Sequence, residues 1–287
     1  MTYDSPGVLL RRHGLSPKKQ WGQNFLGDER VQEAIADLVD PQPGETVVEF
    51  GSGLGHLTRH LVGRGARVVA VERDRDLAPI LRAELGTHHP ELTVVEADAV
   101  TFDLASVARE AGGPVTVCGN LPYHLGSPIL FHVMDQRAAV KRLVTMLQAE
   151  VVERICAAAD TEDYGLLSVL LQQVADVRIG LRVPPGAFVP PPAIDSAVLV
   201  AEMRTAPRAR TTSDGSFRRL VKAAFAQRRK TLSNALKSVG DRELLREAAA
   251  EANIDLSRRG ETLSVEEFAA LERSLATRLP AEESANA

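Results

Sequence analysis

From Thr46 to Gln148 the chain alternates short apolar, β-branched runs with helical patterns, and that alternation restricts the fold more than any other feature. Thr46–Phe50, Val68–Val71, Leu92–Val95 and Pro114–Cys118 read as strands, and Val140–Gln148 as a further one. Between them, His56–Val62 and the stretch carrying Leu77, Ile80, Leu81 and Leu85 place apolar residues at helical spacing. Strands separated by helices pair in parallel, because each helix carries the chain back over the sheet. The pattern therefore predicts an α/β fold with a doubly wound, mostly parallel sheet. Ligands of such sheets lie outside the carboxyl ends of the strands, where Gly51, Glu72, Asp98 and Asn120 all fall.

Each of those positions has a chemical and an architectural reading. Gly51-Ser52-Gly53-Leu54-Gly55 joins a strand to a helix, which lets a ligand approach the backbone near the positive end of the helix dipole. Its spacing is Gly-X-Gly-X-Gly, not the dinucleotide Gly-X-Gly-X-X-Gly, and alone it is a weak signal. Glu72 at a strand end can accept from both hydroxyls of a ribose, or it can be a solvated strand-end carboxylate. Asp98 can accept from an adenine amine, or it can cap a turn. Three such residues together are harder to explain as caps.

Asn120-Leu121-Pro122-Tyr123 follows the strand that ends at Cys118. An amide can hydrogen-bond an exocyclic amine, and an aromatic face can stack on a base, worth about 1–3 kcal/mol. Pro122 pushes Leu121 toward extended geometry, which aims the Leu121 carbonyl toward the same amine. The architectural alternative is a turn with an Asx hydrogen bond and a core tyrosine.

The flanking segments are less regular. Trp21, Phe25 and Leu26 sit too close together for a free arm, so they either staple residues 1–24 to the core or line a pocket. Asp28 N-caps a helix over Glu29–Leu38. After Tyr123, Ser127 starts a helix through Ile129, Leu130 and Val133. Helices follow at Glu150–Ala159 and Leu166–Val174, with strands at Asp176–Val183 and Ile194–Met203. The proline-rich loop Pro184–Pro192 has one aromatic at its centre, Phe188, which either packs into the core or offers a second stacking face opposite Tyr123.

Charge distribution says more than net charge. The 287 residues carry a formal net charge of −4, which argues weakly against a nucleic-acid partner. From Arg204 to Lys237, however, ten Lys/Arg face one acid, Asp214, in a stretch of helical pattern. So lopsided a run reads as a phosphate-binding surface, with Arg228-Arg229-Lys230 at its centre. At 44% hydrophobic and 25% charged, the composition is that of a globular chain, with no run approaching a membrane span and no charged-then-apolar leader. Cys118 and Cys156 are too few for a disulfide framework and lack metal-ligand spacing, so a reduced cytoplasm is the default and no metal is expected.

Taken together, five stretches resemble one family. Gln23-Asn24-Phe25-Leu26, Glu49 through Gly55, Asn120-Leu121-Pro122-Tyr123, Phe188-Val189-Pro190-Pro191-Pro192 and Phe225 through Leu232 are similar to motifs of the KsgA/RsmA-type ribosomal RNA adenine dimethyltransferases. The resemblance runs from about Trp21 to Leu236, and the combination is specific even though the glycine motif alone is not. It implies a Rossmann-like S-adenosylmethionine-dependent methyltransferase sheet followed by a small C-terminal all-α domain. The organisation expected is a basic arm over 1–27 contributing to the donor pocket, a methyltransferase domain over 28–203, a helical RNA-binding domain over 204–280 and a disordered tail over 281–287.

What the resemblance implies for function is equally concrete. The methyl donor is S-adenosylmethionine, held by Asn24, Leu26, Gly51, Gly53, Glu72, Asp98 and Asn120. The substrate is 16S rRNA within the small ribosomal subunit or its precursor, where two adjacent adenosines of the 3′-terminal hairpin are each dimethylated at N6. Asn120, Leu121, Pro122, Tyr123 and Phe188 form the catalytic set, with Tyr123 and Phe188 clamping the base, and Arg228, Arg229 and Lys230 hold RNA. A cytoplasmic monomer with no metal and no catalytic histidine is expected. Ser52 and Trp21 stand where members of the family often carry proline or alanine and phenylalanine, and local repacking is the expected consequence.

Three other readings remain. An Erm-type 23S rRNA adenine N6-methyltransferase shares the core, but Leu121 and the Arg228–Leu232 stretch favour the small-subunit enzyme. A nicotinamide-dependent oxidoreductase needs neither the Asn-Leu-Pro-Tyr loop nor a basic helical end. An assembly factor that only binds pre-30S particles does not require the acceptor residues.

Overall fold

A computed structural model describes residues 3–227 and 229–278. Among the described residues there are nine strands: β1 (Phe25–Leu26), β2 (Thr46–Phe50), β3 (Arg67–Glu72), β4 (Leu92–Glu96), β5 (Val115–Asn120), β6 (Val140–Gln148), β7 (Ala175–Val183), β8 (Phe188–Val189) and β9 (Ser196–Met203). Seven form one sheet in the order β4-β3-β2-β5-β6-β9-β7. The pairs from β4 through β6 are parallel, whereas β6 and β9 run antiparallel, from Arg142 opposite Glu202 to Gln148 opposite Ser196. The parallel, doubly wound expectation thus holds.

The order reverses at one place. The chain builds outward from β2 through β3 to β4, then crosses back to lay β5 on the other side of β2. The carboxyl ends of β2 and β5 therefore flank the switch point where such sheets open a crevice. Phe50 pairs with Gly119 there, and the strands come so close that a Cβ on Gly119 would collide with the Phe50 carbonyl. Only glycine fits one position before Asn120. The runs Val47–Phe50 and Val115–Cys118 are buried on both faces, as in a parallel sheet covered by helices on both sides, and only Glu49 and Thr116 in them are polar.

Two elements went beyond the sequence pattern. Pro6–Arg12 is a helix, not an arm; Leu9 and Leu10 are buried in a small core with Phe25, Leu54, Leu77 and Ile80. The two-residue strands β1 and β8 pair antiparallel, with Leu26 opposite Phe188 and Phe25 opposite Val189.

The chain divides into two compact units, and the division differs from the expected one. The sheet unit takes the residues up to 152 together with 178–203, and the helical unit takes 153–177 and the residues from 204 onward. Residues 153–177, expected in the methyltransferase domain, thus group with the helices. Leu166–Val174 is amphipathic enough to pack on either a sheet or a helix, and its pattern alone does not say which. Within the helical unit, Phe217, Leu220 and Val221 of helix Asp214–Phe225 are buried, as are Tyr164, Phe268 and Leu271. The Phe225 ring lies 5.9 Å from Phe268 and 6.2 Å from Tyr164. Helix Val265–Ala276 begins with a capping box between Ser264 and Glu267.

Candidate donor pocket and methyl-acceptor site

A cavity of about 330 Å³ opens at the switch point. The glycine turn after β2 forms part of its wall through Gly51 and Gly53, both in the left-handed region (φ 69° and 55°) where a side chain is strained. Gly53 N–H donates to Glu72 Oε2 at 2.7 Å, and Asp74 N–H donates to Oε1 at 2.7 Å. Glu72 is thereby fixed at the end of β3 with one bond on each oxygen, leaving acceptor capacity on both for hydroxyls. Burial pushes its carboxyl up, and the N–H groups of Asp74 and Gly53 oppose that. Asp98 lines the same cavity, accepting from Val100 N–H at 3.0 Å and lying 3.4 Å from Arg73.

The Asn120 loop forms another wall. Asn120 Nδ2 donates to the main-chain carbonyl of Asn24 at 2.9 Å. A carbonyl can only accept, so this contact fixes which end of the amide is NH₂ and leaves Oδ1 as an acceptor. Leu121 is buried and its N–H donates to the Met146 carbonyl at 3.2 Å, which ties the loop to β6. Pro122 holds φ −57° and ψ 129°, and a short 3₁₀ turn from Tyr123 to Leu125 follows. The Tyr123 hydroxyl is hydrogen-bonded to the buried Ser196 Oγ at 2.7 Å. Burial pushes the Tyr123 phenol up while the Ser196 bond pulls it down. The tyrosine is anchored at its tip and is one of the residues that line the cavity.

Asn24, Gly51, Gly53, Glu72, Asp98, Asn120, Leu121, Pro122 and Tyr123 thus meet around one cavity, with Trp21 and Phe25 beside them. Two expected residues do not. Phe188 is only 3% exposed and packs with Leu26, Val198 and Val200 in the main core, away from the cavity lining. It pairs with Leu26 through β1 and β8, and it is not among the residues that line the cavity. Leu26 is likewise a core residue, and its carbonyl accepts from Gln32 Nε2 at 2.9 Å.

Other lining residues carried no distinct signal in the sequence. Arg73 follows Glu72 directly, His124 and Leu125 follow Tyr123, and Ile129 starts the next helix's apolar face. Proximity in sequence to Glu72 and Tyr123 was the only pointer to them.

In the helical unit, Arg229 and Lys230 are exposed, whereas Arg228 lies outside the described residues. The stretch of helical pattern is two helices, Asp214–Phe225 and a short one that starts at Leu232. Lys230 N–H donates to the Gln227 carbonyl at 2.9 Å, and Leu232 N–H to the Arg258 carbonyl at 2.8 Å, so the basic residues project from a pinned turn. Among the described residues no helix is long and apolar enough to cross a membrane, and no group of His, Cys, Asp and Glu is placed to hold a metal ion.

Residues 14–277 match the family described as ribosomal RNA adenine dimethylase. The chain is 54% identical over 284 residues to a ribosomal RNA small subunit methyltransferase A of Anaeromyxobacter sp. (strain K), covering 95% of this chain and 98% of the relative. It is 52% identical over 282 residues to the protein of the same name from Myxococcus xanthus (strain DK1622), covering 97% and 98%. Among solved structures, the 23S rRNA methyltransferase ErmE superposes with a TM-score of 0.67 at 26% identity, covering 88% of this chain and all of that one. A dimethyladenosine transferase from Plasmodium falciparum shares the fold, with a TM-score of 0.68 at 21% identity over 86% of this chain and 95% of its own. With the family model matched over residues 14–277 and these relatives covered along nearly their whole length, the chain belongs to the ribosomal RNA adenine dimethylase family.

Proposed function

We propose that the protein transfers methyl groups from S-adenosylmethionine to the N6 amines of two adjacent adenosines in the 3′-terminal hairpin of 16S rRNA. It acts as a cytoplasmic monomer on the small subunit or its precursor during ribosome biogenesis. The identity to small-subunit relatives, about twice that to ErmE, favours this over the 23S reaction.

The cavity suits the donor chemically. Glu72 offers carboxylate oxygens to a ribose, Asp98 an acceptor for an adenine amine, and Gly51 and Gly53 a wall without side chains. S-adenosylmethionine supplies an electrophilic methyl on a sulfonium. The chain's own task is to make a poor nucleophile attack it. An adenine amine is weak because its lone pair is delocalised into the ring. Asn120 Oδ1 and the Leu121 carbonyl accept its two N–H bonds and favour a pyramidal nitrogen with a localised lone pair. The new N–C bond forms as the methyl–sulfur bond breaks, and the resulting ammonium is acidic enough to lose its proton to water. Positioning and the two acceptors facing the growing positive charge therefore carry the rate. Tyr123 gives the unstacked base one aromatic face, as base-modifying sites require. Arg228, Arg229 and Lys230 supply phosphate contacts.

The observation that carries this reading is the Asn120 amide, fixed by Asn24 with its oxygen left to accept, in the same cavity as Glu72 and Asp98. The test is mass spectrometry of small-subunit particles from a strain lacking its own dimethyltransferase, incubated with the protein and isotopically labelled donor. Two dimethylated adenosines in the 3′ hairpin are expected; label confined to 23S rRNA, or none at all, overturns the reading.

A further inference from the structure

The segment that connects the first helix to β1 passes over the donor cavity, and Gln20 through Phe25 line it. This strap is fastened at one end by charge. Lys18 Nζ donates to Asp74 Oδ1 at 2.6 Å and to Asp76 Oδ2 at 2.7 Å. Gln23 Nε2 donates to the other oxygen of Asp74 at 2.7 Å, and Gln23 Oε1 accepts from Lys18 N–H at 2.8 Å. Both Asp74 oxygens are therefore taken by the strap, and Asp74 is only 1% exposed. Lifting the strap would break both of these bonds to the Asp74 carboxylate, one of them charge-paired. Asp74 also belongs to the donor site's frame, since its N–H holds Glu72 Oε1.

At its other end the strap touches the reacting amide, where the Asn24 carbonyl receives Asn120 Nδ2. Between the two ends lies Trp21, with Lys18 Nζ 4.9 Å and the Arg73 guanidinium 5.6 Å from its ring centroid. One continuous set of contacts thus runs from the β3 turn through the strap to the Asn120 amide.

We propose that Lys18 is a positioning residue for methyl transfer. Clasped by Asp74 and Asp76, it seats the strap so that the Asn24 carbonyl holds the Asn120 amide with its oxygen turned to the substrate amine. The inference rests on the role given to Asn120 under Proposed function. It adds that the residue setting the amide's orientation is a partly exposed lysine six positions before Asn24, which does not line the donor cavity.

Trp21 is the only tryptophan in the chain, so its emission reports the strap directly. The experiment compares the full chain with Lys18→Met and Lys18→Arg in three measurements: Trp21 emission without donor, S-adenosylmethionine affinity by calorimetry, and kcat on small-subunit particles. Lys18→Met should shift the emission to longer wavelength, weaken donor binding about tenfold and lower kcat at saturating donor by about tenfold or more. Lys18→Arg, which can reach both carboxylates, should recover most of each. Emission, affinity and kcat all unchanged in Lys18→Met overturn the proposal. So does a loss of thermal stability with kcat intact, which would make the clasp merely structural. Asn120→Ala is run alongside: full turnover in that variant removes the amide's role, whereas a Lys18→Met with unchanged emission, affinity and kcat beside a dead Asn120→Ala removes the clasp alone.

Discussion

Asn120 Nδ2 donates to the main-chain carbonyl of Asn24 at 2.9 Å, joining residues 96 positions apart at the mouth of the crevice between β2 and β5. The contact decides the polarity of the amide. With the NH₂ spent on a carbonyl, the oxygen is the group left to receive an amine's proton. Asn120→Ala should therefore lower kcat by about 10²–10³-fold, the scale of losing one acceptor at the reacting centre, while donor affinity changes only a fewfold. Single-turnover methylation and calorimetric titration of the donor separate the two. Asn120→Asp should also be slow, because a carboxylate beside the Asn24 carbonyl has no proton to donate and will not adopt the same pose.

Tyr123 has two separable parts. Its hydroxyl is held by Ser196 Oγ at 2.7 Å, and the residue lines the cavity. Tyr123→Phe keeps the face and loses the anchor, so kcat/KM should fall only several-fold. Tyr123→Ala removes a stacking contact worth about 1–3 kcal/mol and should lower kcat/KM by about 5- to 150-fold. Phe188→Leu is the control. With the ring in the core and off the cavity wall, it should lower thermal stability and leave kcat/KM close to that of the parent.

These outcomes also mark what the sequence could and could not tell. Strand ends were legible because a parallel strand buried on both faces is mostly apolar, so Gly51, Glu72 and Asn120 each announce where the run stops. The direction of a single ring was not. An aromatic in a proline-rich loop suits a core and a cleft equally, and only the two-residue ladder between β1 and β8, closed by distant parts of the chain, turns Phe188 inward. Helix Pro6–Arg12 spans too few residues for a periodic signal, and its burial depends on Leu54 and Leu77 from other elements. The strap's clasp was illegible for the same reason: Lys18 and Asp74 are ordinary charges until the fold brings them within 2.6 Å.

The turn carrying Arg229 and Lys230 should contribute affinity, not chemistry. Both residues are exposed, on a loop pinned by the Lys230–Gln227 and Leu232–Arg258 bonds. Replacing each with alanine should weaken RNA binding and reduce the slope of log affinity against log salt by about one per residue. Donor binding should be unaffected. A filter-binding series from 50 to 300 mM salt, with calorimetry of the donor in parallel, is the check; an unchanged slope would mean these cations do not meet phosphate.

Glu49, at the end of β2 beneath the glycine turn, gives the fold a pH dependence that catalysis does not need. Burial pushes its carboxyl up to about 7, against the Thr58 hydroxyl that donates to Oε2 at 2.6 Å, and the nearby Glu72 charge pushes the same way. A carboxyl raised in the folded state binds its proton more tightly there than in the unfolded chain. Stability from this group is therefore full below its ordinary value near 4.5 and is lost as pH climbs toward about 7. The loss across that window is of order 3 kcal/mol. Glu49→Gln keeps an oxygen for Thr58 and removes the titration. The variant should therefore gain stability relative to the parent between pH 5 and pH 8, with the difference levelling off above about 7. Urea denaturation at several pH values measures this directly, and parallel curves for the two proteins across the window would show that Glu49 does not titrate there.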